Sequence, residues 1–174
     1  MKKVIGVILT FIIVICGISA KPLTTCAQEW DIHAEYLAKK EAGLEVYEII
    51  GEDGTVWGYY EPYSDSNPRP MQENVIYDIK WNVLPGEIKK SEDVYALAAG
   101  TRIYLDISQQ PAGGDYLGYV GLVDADEGRE QLIESSLSNY GWEGMIVVGY
   151  TGNFNFAIEN KSSSLITYNG TYSF

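Results

Sequence analysis

The sequence predicts an all-β chain folded as an antiparallel sandwich or barrel. From Val75 onward, apolar and polar side chains alternate with the period of two that a half-buried strand requires. Turn residues interrupt that alternation roughly every eight to twelve positions, the spacing of strands that run back and forth. Upstream, Asp53-Gly54 lies between two β-rich runs, residues 44–50 and 55–60. Asp-Gly is a hairpin signal because both residues tolerate the positive φ angles of turns that match strand twist.

Before the first element come Lys2 and Lys3, an apolar run over residues 4–20, and then Lys21, Pro22 and small polar residues. A charged start, an apolar core and a small-residue end form the layout of a secretory signal. Thr25 and Ala27 place the cleavage after Ala27, with Ala20 as the other candidate point. A retained anchor and a lipid on Cys26 are the alternatives. Cleavage after Ala27 removes Cys16 and Cys26, leaving no thiol chemistry and no disulfide. It also removes three of the 12 basic residues, so nine remain against 24 acidic ones, or −15. Such a balance disfavours nucleic acid and anionic membranes, both of which are bound through Lys and Arg. It suits an exported protein that meets neutral sugars, proteins or cations. The expected organisation is a signal over 1–27, an N-terminal segment over 28–73 and a β-sandwich domain over 74–174, with the mature chain a monomer.

The segment 30–43 predicts a short helix. Asp31 can cap it, Glu35 and Lys39 form an i,i+4 pair, Ile32, Tyr36 and Leu37 supply an apolar stripe, and Gly43 can end it. The hairpin of 44–60 follows. Residues 61–74 hold three prolines and predict a loop, the expected seam between the N-terminal segment and the main body. In the next strand Val75, Tyr77, Ile79, Trp81 and Val83 share one face; Leu84-Pro85-Gly86 turns the chain. Residues 93–99 form an apolar run. Over 101–108, Ile103, Leu105 and Ile107 point inward and Arg102, Tyr104 and Asp106 outward. The strand at 116–123 carries Gly118 and Gly121, where a bulge or a close approach is expected. Residues 127–139 read as helix or strand, with the regular meander favouring strand. A strand at 144–150 precedes the final pair. There Phe154, Phe156 and Ile158 share one parity, as do Ile166, Tyr168, Tyr172 and Phe174. Reading Gly170 inside one continuous strand, rather than in an Asn169-Gly170 turn, keeps these four apolar side chains on one face.

Three pieces of this pattern carry a family likeness: the W-x-V strand at Trp81, the G-T-x-I-x-L-x-I strand from Gly100, and the closing G-x-F-x-F-x-I-x-N-x-S-S stretch from Gly152 to Ser163. Over about the last hundred residues the chain resembles the Golgi-dynamics (GOLD) domain and the pre-peptidase C-terminal domain of secreted proteins. The resemblance implies a jelly-roll-like sandwich that binds or assists and has no catalytic residues of its own. It implies no particular ligand.

Two sets of residues are candidates for a site. Trp57, Tyr59, Tyr60 and Tyr63 gather aromatic rings on an exported hairpin, where rings can stack on sugars; the competing role is cross-strand packing. Trp57 and Tyr59 share strand parity, and Tyr60 points away. In the loop 124–130, Asp124, Asp126 and Glu127 are spaced so that they can hold Ca²⁺, which takes six to eight oxygens or so, or can form a solvated acidic turn. No other cofactor is implied. His33, the single histidine, has no nucleophile pattern beside it. The sequons at Asn160 and Asn169 matter only in a glycosylating host. The function expected is a non-catalytic binding or accessory domain for an extracellular glycan or protein. The alternatives are a small hydrolase using paired carboxylates and an adhesive domain that offers an edge strand to a partner.

Overall fold

The computed structural model describes residues 31–51, 54, 56–65, 67–69, 75–111, 117–134 and 141–174. The expected signal peptide, its cleavage points and Cys26 lie outside the described residues. Asp31 caps α1 (Ile32–Glu41) by accepting the Ala34 N–H at 3.0 Å, and Gly43 follows the helix with φ +78°. Ile32 and Tyr36 are buried, whereas Leu37 is exposed. The expected Glu35–Lys39 pair is replaced by contacts to the sheet. Lys39 Nζ donates to Glu61 at 2.8 Å, and Glu35 accepts from the Tyr59 hydroxyl at 2.7 Å. An exposed i,i+4 pair contributes only about 0.2–0.5 kcal/mol, so a helix lying on a sheet readily trades it for partly buried bonds.

The strands are β1 (Tyr47–Ile50), β2 (Val56–Pro62), β3 (Ile76–Val83), β4 (Ile88–Lys90), β5 (Tyr95–Leu97), β6 (Arg102–Gln110), β7 (Gly118–Asp124), β8 (Glu130–Glu134), β9 (Gly141–Val148), β10 (Gly152–Asn160) and β11 (Ile166–Ser173). They form two antiparallel sheets. The larger runs β1-β2-β9-β6-β11-β3; the smaller runs β4-β10-β7-β8, with β5 also on β10. The ambiguous 127–139 stretch holds a strand, β8, and 135–140 lie outside the described residues. The division at residue 73 does not follow the sheet. β2 pairs with β9 from Gly58↔Val148 to Pro62↔Gly144, so the hairpin is one margin of the larger sheet and not an appendage.

The main core lies between the sheets, where the inward residues expected from alternation meet. Ile79, Ile103, Leu105, Ile107, Ile166 and Tyr172 come from one sheet, and Val120, Leu122, Phe154, Phe156 and Ile158 from the other. Each such aliphatic or aromatic side chain contributes about 1.5–3 kcal/mol on burial. Phe156 and Tyr172 stack across the interface with centroids 4.0 Å apart. β11 continues unbroken through Gly170, which pairs with Ile79 and Ile107, and Phe174 packs on Tyr95 and Tyr77. Gly118 makes a close approach: a β-carbon there would lie 2.4 Å from the Tyr168 hydroxyl. Asn160 is fully buried. Its amide donates to the carbonyls of Val83 and Ser164, and its Oδ1 accepts from Ser162, so this sequon's side chain is consumed in joining β10, β3 and the closing loop.

Candidate functional site

Three of the four hairpin aromatics expected on a ligand face are buried instead. Trp57 is 2% exposed, Tyr59 0% and Tyr60 2%. Both surfaces of the hairpin are covered, and by different partners. Trp57 and Tyr60 enter the main core; Tyr59 lies on the outer face beneath α1, in a second apolar cluster with Ile32, Tyr36, Met145 and Val147. Trp57 and Tyr59 therefore do not share a face, contrary to their sequence parity. A β-bulge is the cause: Ile49 pairs with Gly58 and Ile50 with Val56, which leaves Trp57 as the extra residue. Gly58 has φ +147°, and a β-carbon on it would meet the Val147 carbonyl at 2.1 Å. Burial pushes the Tyr59 phenol far up, reinforced by its bond to Glu35. Tyr63 is the one candidate that keeps partial exposure. It is half-buried beside Tyr104, and burial pushes its phenol up to about 12.

The acidic loop and the hairpin tryptophan, separate in sequence, meet in space. Arg129 lies over the Trp57 ring at 4.6 Å and over Tyr150 at 5.7 Å. The same guanidinium pairs with Glu127 and sits 3.9 Å from Asp124. Asp124 Oδ1 accepts the backbone N–H groups of Asp126 and Glu127, both at 2.9 Å, and Oδ2 accepts the Tyr150 hydroxyl at 2.8 Å. Asp126 turns away to accept from Asn153. The three carboxylates do not converge, and among the described residues no group of three or more acidic, histidine or cysteine side chains could hold a metal. An internal arginine takes the place expected for a cation.

Burial opposes ionisation of Asp124, but the two backbone N–H groups, Tyr150 and Arg129 outweigh it and hold the carboxyl below the usual range. A depressed carboxyl pKa contributes stability that is present above the unfolded value, about 3.9, and is lost as pH falls through the lower folded value. Urea midpoints are expected to fall as pH drops below about 4, with a shallower dependence in Asp124→Asn. Equal slopes for the two proteins would show that this loop does not carry the linkage.

His33 is half exposed and pairs through Nδ1 with Glu48 at 2.7 Å. It lines an open hollow of about 550 Å³ with Asp31, Ala99, Tyr150 and Thr151. The Thr151 hydroxyl there accepts the Ala99 N–H at 3.1 Å.

Sequence reasoning passed over the outer face of β6, β11 and β3. α1 covers the β2–β9 half of that sheet and leaves this half open. Cross-strand register sets its side chains in rows. One row is Glu143, Asp106, Thr171 and Asp78; the next is Ser108, Asn169 and Lys80; the third is Gln110, Thr167 and Asn82. The first row places two carboxylates directly opposite each other, an unfavourable pairing, and Arg69 from the preceding loop binds Asp106. Tyr104 and Tyr63 border the face where α1 begins to cover it. The alternation marks these residues as outward, but polar outward residues are the ordinary state of a strand and carry no ligand signal in sequence. Compared with family models, with curated proteins and with solved structures, the chain matches none.

Proposed function

We propose that this chain is a secreted, non-catalytic binding domain whose extracellular ligand, a glycan or a protein, lies across the outer face of β6, β11 and β3. The observation that carries the reading is the contrast between surfaces. The hairpin aromatics are packed, whereas this face presents rows of hydroxyl, amide and carboxylate groups bordered by two half-exposed tyrosines. Such rows can exchange water for sugar hydroxyls or backbone groups at small cost. Export rests on the N-terminal layout; among the described residues no helix is long and apolar enough to cross a membrane.

The fold part of the proposal is a jelly roll. Counting β4 and β5 as one position, the chain from β3 alternates between the sheets at every step except the β7–β8 hairpin, and the β1–β2 hairpin extends one margin. This connectivity accords with the likeness to GOLD and pre-peptidase C-terminal domains, which are accessory modules. The hydrolase alternative would draw on the first row, which carries three carboxyls, Glu143, Asp106 and Asp78, with Glu143 and Asp106 directly opposite each other. They stand on an open sheet, and Arg69 already engages Asp106.

The test is retention on insoluble polysaccharides, cell-wall material and whole cells. The wild type is expected to be retained selectively on one material, with affinity reduced about tenfold or more, roughly 1.4 kcal/mol, in Asn169→Ala/Thr171→Ala and unchanged in Glu41→Gln on the helix. Equal retention of all three proteins would remove the face from consideration. Turnover of a polymer that disappears in Glu143→Gln would replace binding by hydrolysis.

A further inference from the structure

We infer that β3 is a homodimerisation edge, on which a second copy of this chain pairs its own β3 antiparallel to extend the larger sheet. Among the described residues β3 is the end strand of that sheet, with β11 on one side and no strand on the other. An end strand of eight residues presents a row of backbone donors and acceptors toward any strand that can match it. What selects the partner is the strand's own side-chain order.

Outward along β3 run Ile76, Asp78, Lys80 and Asn82, all exposed; inward run Tyr77, Ile79, Trp81 and Val83. A two-fold axis perpendicular to the sheet keeps both cores on the same side. Three such registers are centred within the middle of the strand. Centring on Asp78 opposes two aspartates, and centring on Lys80 opposes two lysines. Centring on Ile79 instead sets Asp78 against Lys80 of the second copy, twice by symmetry. The same register sets Tyr77 against Trp81 of the second copy on the inner face. These two rings, half-buried while Ile79 and Val83 between and beside them are buried, gain the lateral neighbour that an end strand lacks. Two charges that would block pairing with an unmatched strand are thus self-complementary in one register. The inference stands on β3 alone and does not depend on the proposed ligand face.

Sedimentation equilibrium of the protein up to the hundred-micromolar range tests it. The wild type is expected to double its mass with rising concentration. Asp78→Lys and Lys80→Asp, each made alone, are expected to weaken self-association at least tenfold, and the double exchange Asp78→Lys/Lys80→Asp to restore it. Mixing the two single variants provides the decisive arm, since one then carries two aspartates and the other two lysines. They are expected to form a heterodimer although neither self-associates. Circular dichroism melts verify that each exposed substitution leaves the fold intact. A wild type that stays monomeric, or single variants that associate as the wild type does, would overturn the inference; so would a mixture that forms no heterodimer.

Discussion

Gly170→Ala is expected to lower stability by at least about 3 kcal/mol, a large part of the roughly 5–15 kcal/mol that holds a domain folded. Gly170 sits in the middle of β11, opposite Ile79 of β3 on one side and Ile107 of β6 on the other. Its φ is +146°, a conformation that side-chain-bearing residues rarely adopt, and strain of this kind costs about 1–3 kcal/mol. The larger penalty is steric. A β-carbon there would lie 1.9 Å from the Asp106 carbonyl oxygen and 2.8 Å from the Ile107 α-carbon. Both are backbone atoms of a central strand, which cannot move without disturbing its ladder to β9 as well. Gly128 separates the two effects: its φ is +71° but nothing lies within 4 Å of its added β-carbon. Gly128→Ala is expected to cost about 1 kcal/mol. Urea denaturation of both variants is the measurement. A Gly170→Ala midpoint no lower than that of Gly128→Ala would mean that the ladder relaxes around the methyl group.

Phe156→Ala is expected to cost about 3–5 kcal/mol, the range for removing a buried phenylalanine from a core that cannot collapse around the void. Phe156 is 1% exposed and stacks on Tyr172 with the rings 8° from parallel. That stack joins the two sheets, and the Trp81 ring lies 6.3 Å from the Phe156 ring. Both neighbours belong to hydrogen-bonded strands, so the space left behind stays open. Phe156→Leu, which refills part of the volume, is expected to lose less than half as much. If thermal and urea unfolding gave equal losses for the two substitutions, the aromatic stack rather than the cavity would be the dominant contribution.

Both predictions concern positions whose place was legible in the sequence. A strand presents alternate residues to alternate faces, so parity alone put Ile103, Leu105 and Ile107 inside and Arg102 and Asp106 outside. The same rule kept Tyr168 and Tyr172 on one face and so identified Gly170 as a strand residue. The helix was legible for a similar reason: a capping aspartate and a terminal glycine act within one turn.

The aromatic site was misread because its deciding contacts are not local. One extra residue in β2 turns Trp57 inward, and its parity cannot reveal where a bulge falls until the partner strand is known. Tyr59 is buried by Ile32 and Tyr36 of the helix, more than twenty residues earlier in the chain. Arg129 reaches Trp57 and neutralises the acidic loop only because the β7–β8 turn folds over the β1–β2 margin. The candidate binding face likewise exists only once β6, β11 and β3, which are distant in sequence, stand side by side. The sequence by itself determined most of the strands and, in β3, β6, β10 and β11, which side of each is wet, because those follow from near-neighbour geometry and burial. Strand order, the bulge register and the cover provided by α1 belong to the tertiary structure, because each depends on which distant segment supplies the missing hydrogen bonds and apolar contacts.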